Sequence, residues 1–250
     1  MADDLEAIAK KYPDKKFAIV DNAYDNQPKN IESLVFKEQE GSFLMGVIAA
    51  KTTKTNKIGF IGGKDSELIN KFAAGYIAGA KTINPSIDIK VVYIDSFADA
   101  TKGEEAATTM YSQNYDVIYH AAGGAGNGLF KAAKSANSSG KKVWAIGVDQ
   151  DQAVTLPEYS DVILTSMVKR VDTSTYDTVK DLSKGSFQGG KIRVFGLKED
   201  GVGYSASTSK NVPKNVLDLV DKYKQAIIDG KINVPTTKDA ANSFKTEALQ

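Results

Sequence analysis

The sequence predicts an α/β protein built on parallel sheets, and three observations carry that prediction. Between Lys57 and Asp149, short apolar runs alternate with longer amphipathic stretches, the spacing of strand–helix–strand units with right-handed crossovers. Each apolar run ends in a tight turn containing Gly, Ser or Asp: IGFIGG (Ile58 to Gly63), KVVYIDS (Lys90 to Ser96), VIYHAAGG (Val117 to Gly124) and VWAIGVD (Val143 to Asp149). A chain of 250 residues, 42% of them hydrophobic, is long enough for one large or two smaller α/β cores. In a parallel sheet all these turns emerge along one edge, the edge where open α/β domains bind ligands.

The elements follow in order. ADDLEAIAKK, from Ala2 to Lys11, places Leu5, Ile8 and Ala9 on one helical face with acids early and lysines late, in keeping with the helix dipole. Tyr12-Pro13-Asp14 ends it. Phe17 to Val20 reads as a strand ending at Asp21-Asn22, and Leu34 to Phe36 as another after a loop. A helix is expected from Ser42. Its Gly46, with Gly75 and Gly79 in the helix after Gly63, costs about 1 kcal/mol each against alanine, a sign of close packing on a sheet. Past Asp149 a polar loop precedes the strand Val162 to Val168, and Asp172 is read as the N-cap of a helix running to Ser183. Lys191 to Leu197 is a strand. Pro213 to Asp229 is the last helix, closed by Gly230, and the residues beyond Thr236 read as a loose tail.

Composition excludes several function classes. With 32 basic and 31 acidic side chains the formal charge is +1, so no net positive field is available for a nucleic-acid partner. There is no cysteine and one histidine, which removes disulfides, thiolate chemistry and His-rich metal sites, and no cofactor is implied. No apolar run reaches the ~18 residues of a membrane span. No G-x-S-x-G elbow exists, and sequence alone does not exclude paired catalytic carboxylates, though nothing in it supports them.

The motifs that remain are ligand-binding ones. GGAGNG, from Gly123 to Gly128, lies between a strand and a helix, but Leu129 stands where a dinucleotide fingerprint needs glycine and no Gly-Lys-Ser/Thr follows. It reads as a tight turn whose backbone approaches a ligand. Asp21 and Asp149 end their strands; a carboxylate there accepts hydrogen bonds from vicinal hydroxyls or a base edge, or caps the next turn. Lys169 ends another strand and could donate to a hydroxyl. His120, Phe97 and Tyr119 lie near the same edge, His120 as a ligand contact or a structural histidine and the aromatics as stacking or core groups.

Four ordered segments, IGFIGGKDSELINKFAAGYIAGAK, VIYHAAGGAGNGLFKAAK, VWAIGVDQDQ and ILTSMVKRVD, resemble the basic membrane protein family of bacterial substrate-binding lipoproteins, which includes purine nucleoside receptors of the PnrA type. The resemblance runs from Met1 to about Val234. It implies a type I periplasmic-binding-protein-like α/β fold whose two lobes close on a purine nucleoside (guanosine, inosine or adenosine) and deliver it to an ABC transporter permease, with lipid anchoring on the extracytoplasmic face of the cell membrane. By the same resemblance Asp149 and Lys169 hold ribose hydroxyls, Asp21 with Asn22 faces the base, and Gly123 and Gly124 supply backbone contacts. His120 and Phe97 are carried over by neighbourhood. The expected lobes are 1–38 with 166–200, and 39–165 with 201–235 crossing back, before a tail at 236–250. The family's signal peptide, lipidated cysteine and first strands have no counterpart here, so the first lobe is expected to be incomplete and to self-associate through an exposed sheet edge. The alternative within the same fold is a cytoplasmic ligand-sensing regulatory domain.

Overall fold

A computed structural model describes every residue except Ala248 and Gln250. Along the chain run α1 (Ala2–Lys11), β1 (Phe17–Val20), β2 (Ile31–Phe36), α2 (Glu38–Thr52), β3 (Lys57–Gly62), α3 (Glu67–Ile83) and β4 (Asp88–Tyr93). Then come α4 (Ala100–Ser112), β5 (Val117–Ala121), α5 (Asn127–Ser138), β6 (Trp144–Asp149), the single turn α6 (Gln152–Thr155) and β7 (Ile163–Lys169). α7 (Val171–Ser183), β8 (Ile192–Phe195), β9 (Val202–Tyr204), α8 (Lys214–Ile228) and α9 (Lys238–Ser243) complete it. The chain divides into two units, Met1–Lys37 with Lys169–Val202, and Glu38–Val168 with Gly203–Gln250.

The first unit holds a three-stranded sheet in the order β1-β2-β8, parallel throughout. β2 is central and almost wholly buried, as a strand flanked on both sides should be. One of its buried groups is a charge: Glu32 is matched by Arg193 at 3.0 Å, which also reaches Asp181 at 3.3 Å, and by the Thr178 hydroxyl at 3.3 Å. Those contacts tie α7 to β2 and β8. β1 is an edge strand. The Phe17 and Asp21 N–H groups donate to Asn30 and Leu34 on the β2 side, so in a parallel ladder Ala18 and Val20 turn theirs to the open edge. An apolar groove of about 670 Å³, lined by Leu5, Ile8, Ala18 and Val20 among others, runs beside that edge.

The second unit holds the six-stranded sheet β4-β3-β5-β6-β7-β9, in which the register from β4 through β7 is parallel. α2 begins at Glu38, four residues before the expected Ser42, and is buried through Ala49. A helix apolar all round must be covered all round. On it lie α3, then Tyr223 of α8, whose ring is 5.7 Å from that of Phe43, and Phe244, 6.3 Å away. The helix glycines therefore serve a different contact from the one the sequence implied: a Cβ on Gly46, Gly75 or Gly79 would fall 2.2, 2.2 or 2.0 Å from the carbonyl oxygens of Tyr76, Gln39 and Phe43. The close approach is helix on helix.

Three further local readings change. Asp172 does not cap α7; the helix starts one residue earlier with Arg170 at the cap, and Asp172 pairs with the Arg170 guanidinium at 3.2 Å. The loop after Asp149 contains α6 and a short 3-10 turn, Pro157–Tyr159. Residues 237–243 are not a loose tail: α9 forms behind a Thr237 cap, Ala241 is fully buried, and Lys81 donates to the Asn242 side chain at 2.8 Å. Too short to be stable alone, α9 gains its order from packing. Gly230, by contrast, does close α8 with a left-handed φ of 71°.

Candidate functional site

The chemistry gathers at strand ends. Among non-glycine residues Asp21, Asp95 and Asp149, after β1, β4 and at the end of β6, have φ of 60°, 51° and 66°. A short side chain that can bond its own turn makes this left-handed conformation accessible, which is why aspartate follows these strands. Gly123, after β5, turns the same way at 54°.

In the second unit the turns at Gly123 and Asp149 border an open depression of about 400 Å³ lined by Gly123, Gly124, Asn127, Asp149, Gln152 and Leu156 among others. Asp149 is exposed on its rim. Phe97 lies alongside, its ring against two glycines that make room for it. A Cβ on Gly63 would sit 2.2 Å from the ring, one on Gly123 would sit 3.0 Å from the Phe97 carbonyl, and that carbonyl accepts from Ala125 N–H at 3.1 Å. Held this way, Phe97 is 43% exposed and offers a flat apolar surface next to Gly123. Tyr119, its companion in the sequence reading, is fully buried against Phe60 and Tyr76.

His120 does not line the depression. Its ring is fully buried, in edge contact with Phe130 at 5.4 Å, with Nε2 2.9 Å from Gln152 Oε1. Burial, opposed only in part by the Gln152 hydrogen bond, lowers its pKa to about 4. The side chain that does reach the depression is Gln152, which the sequence reading left in a polar loop; its place three residues after Asp149, on the first turn of α6, was the available signal. Gly126 and Gly128 of GGAGNG serve packing. A Cβ on Gly126 would fall 1.9 Å from His120 Nδ1, and one on Gly128 would fall 2.0 Å from the Ala100 carbonyl oxygen at the start of α4.

In the first unit Lys169 and Asp21 meet. The Lys169 side chain is 6% exposed and its Nζ lies 2.7 and 2.6 Å from the two Asp21 carboxylate oxygens, 5.2 Å from the Phe36 ring centroid. Asn22 follows, half-buried, on the groove beside α1. The sequence-derived residues thus fall into two sets, Gly123, Gly124 and Asp149 in one unit and Asp21, Asn22 and Lys169 in the other, with His120 behind the first set. Among the described residues no group of three or more His, Asp or Glu side chains could hold a metal ion, and no helix is long and apolar enough to cross a membrane.

A family profile described as ABC transporter substrate-binding protein, PnrA-like, matches residues 1–238. The chain belongs to this Bmp family. Its relatives include the CD4+ T-cell-stimulating antigen of Listeria monocytogenes, 45% identical over 94% of this chain and 68% of that protein. The ABC transporter nucleoside-binding protein BmpA of Lactococcus lactis is 44% identical, over 94% and 69%, and basic membrane protein A of Borreliella burgdorferi is 40% identical, over 99% and 72%. Among solved structures, an ABC transporter solute-binding protein from Aeropyrum pernix superposes with a TM-score of 0.83 at 30% identity, over 96% of this chain and 76% of that one. A transcriptional activator of the comK gene from Bacillus halodurans superposes at 0.78 and 25% identity, over 90% and 74%. The resemblance drawn from the four sequence segments and the α/β fold of periplasmic-binding-protein type are therefore those of a Bmp-family substrate-binding protein of ABC transporters.

Proposed function

We propose that this Bmp-family chain captures purine nucleosides for uptake, binding them without chemical change. The observation that carries the reading is the depression lined by Gly123, Gly124 and the exposed strand-end carboxylate of Asp149, with the partly exposed Phe97 packed against Gly123. A nucleoside is half flat base and half polyol. The ring provides a stacking surface and the carboxylate an acceptor for two vicinal hydroxyls. The nucleoside-binding name of the Lactococcus lactis relative supports the same ligand class. In the other unit the ammonium of Lys169, already aligned by Asp21, is read as a second hydroxyl donor, and Asn22 as a base contact. The partner would be the permease of an ABC transporter, with lipid anchoring on the extracytoplasmic face of the cell membrane.

Isothermal titration with inosine, guanosine, adenosine, cytidine and ribose tests this. Heat with at least one purine nucleoside at micromolar or tighter affinity, and none with ribose alone, is expected; silence with all three purine nucleosides refutes it. Asp149→Ala should abolish binding, and affinity retained within about threefold would remove Asp149 from the site. A second reading, a cytoplasmic sensing domain, is favoured by the likeness to the comK activator; recovery of the native protein in the cytosol rather than with the cell envelope would establish it over transport. Self-association is read at the open edge of β1, where Ala18 and Val20 present backbone groups beside an apolar groove.

A further inference from the structure

Gln152 is held by four groups, and their hydrogen-bonding types leave one orientation. Its Oε1 lies 2.8 Å from Val148 N–H, which can only donate, so the atom there is the amide oxygen. The same oxygen lies 2.9 Å from His120 Nε2, so Nε2 carries the imidazole proton and donates as well. The Gln152 backbone N–H donates to Ser166 Oγ at 3.1 Å, fixing the start of α6. The amide nitrogen is the end that remains, with Asn127 Oδ1 at 3.5 Å, and both residues line the depression. Two glycines make the arrangement possible. On Gly147 a Cβ would fall 2.7 Å from Gln152 Oε1 and 2.6 Å from Ser166 Oγ, and on Gly126 it would fall 1.9 Å from His120 Nδ1. The bare Nδ1 has no hydrogen-bond partner in its buried position, which agrees with the proton residing on Nε2.

We infer that Gln152 is a specificity-determining residue of the depression, presenting its amide strictly as a hydrogen-bond donor, and that His120 is the positioning residue that holds it so. The inference rests on the nucleoside reading for its ligand and deepens it. Asp149 accepts and Gln152 donates three residues apart, so a group that does both at once, a sugar hydroxyl, is satisfied by the pair. A ligand lacking that hydroxyl leaves one N–H of a partly buried amide without an acceptor, and a site built to bond an oxygen rejects such analogues far more strongly than an apolar pocket rejects a change of size. An amide free to rotate would give no such discrimination, since its oxygen could turn outward. Val148 N–H and His120 prevent that turn.

Titration of wild type, Gln152→Leu, His120→Phe and His120→Gln with inosine and with the inosine analogues that each lack one ribose hydroxyl tests the assignment. Wild type should lose about tenfold to hundredfold in affinity for one analogue. Gln152→Leu should bind inosine as weakly as wild type binds that analogue, and should no longer distinguish the two. His120→Phe fills the buried space without a donor and should behave like Gln152→Leu, whereas His120→Gln, which returns an N–H near the position of Nε2, should restore most of the discrimination. Gln152→Leu that retains the wild-type ranking of analogues overturns the inference. The lone histidine gives a second readout that needs no ligand: its imidazole nitrogen resonances at neutral pH should show a protonated Nε2 and a bare Nδ1. A proton on Nδ1 overturns the locked amide. If wild type binds no nucleoside, the nucleoside reading fails, and the imidazole spectrum alone then decides whether Gln152 is fixed as a donor.

Discussion

Acidification should destabilise this protein through His120 before the carboxylates take over. The imidazole is fully buried and its pKa is lowered to about 4, against 6.5 for a free histidine. The unfolded chain therefore binds a proton as pH falls through 6.5 while the folded chain does not, so stability is full above that value and is lost progressively toward pH 4. A shift of about 2.5 pH units corresponds to about 3 kcal/mol at the acid end, of which about 2 kcal/mol is lost already at pH 5. Urea unfolding of wild type and His120→Gln between pH 7 and pH 4 isolates the effect, since both share every carboxylate. The difference in unfolding free energy between the two proteins should shrink, or reverse in favour of the variant, by about that amount as the pH falls. Parallel curves, or an imidazole titrating near 6.5 in the folded state, would refute the burial argument.

Other outcomes follow from single contacts. Gly79→Ala should lower stability by about 1–3 kcal/mol in urea unfolding, although alanine is the better helix former by about 1 kcal/mol, because its Cβ would fall 2.0 Å from the Phe43 carbonyl. Gly126→Ala should cost a similar ~1–3 kcal/mol by driving into His120, and should displace the single imidazole signal. Lys169→Met should weaken nucleoside affinity by at least tenfold in titration calorimetry and lower the unfolding midpoint, since it leaves the Asp21 carboxylate without its ammonium partner at 2.6 Å. Val20→Lys at the open edge of β1 should shift any concentration-dependent dimer toward monomer in sedimentation velocity, while an unchanged distribution would place self-association elsewhere.

The local pattern of residues 57 to 149 was sufficient for the parallel α/β fold, because apolar runs separated by amphipathic helices admit few other packings. It was sufficient too for the strand-end residues: Asp21, Asp149 and Gly123 sit where short apolar runs stop, and the backbone there demands residues that tolerate positive φ. What the pattern could not carry was direction and partner. Gly46, Gly75 and Gly79 signalled a close approach, and only coordinates tell whether a sheet or a helix approaches. The residues after Thr236 have no periodicity of their own, and α9 and Leu249 among them are held by α3 and by Tyr223 of α8.

His120 and Gln152 show the same division most sharply. A histidine beside a strand end reads alike whether it faces a ligand or the core. Burial is a property of everything packed around it, here Phe130, Gly126 and the turn at Gln152, which lie at other positions in the chain. The sequence by itself determined the fold class, the strand ends and the carboxylates that stand on them, since these depend on neighbours a few residues away. Tertiary structure alone decided that Gln152 reaches the depression in place of His120, because which side chain meets solvent depends on hydrogen bonds and excluded volume between segments that only folding brings together.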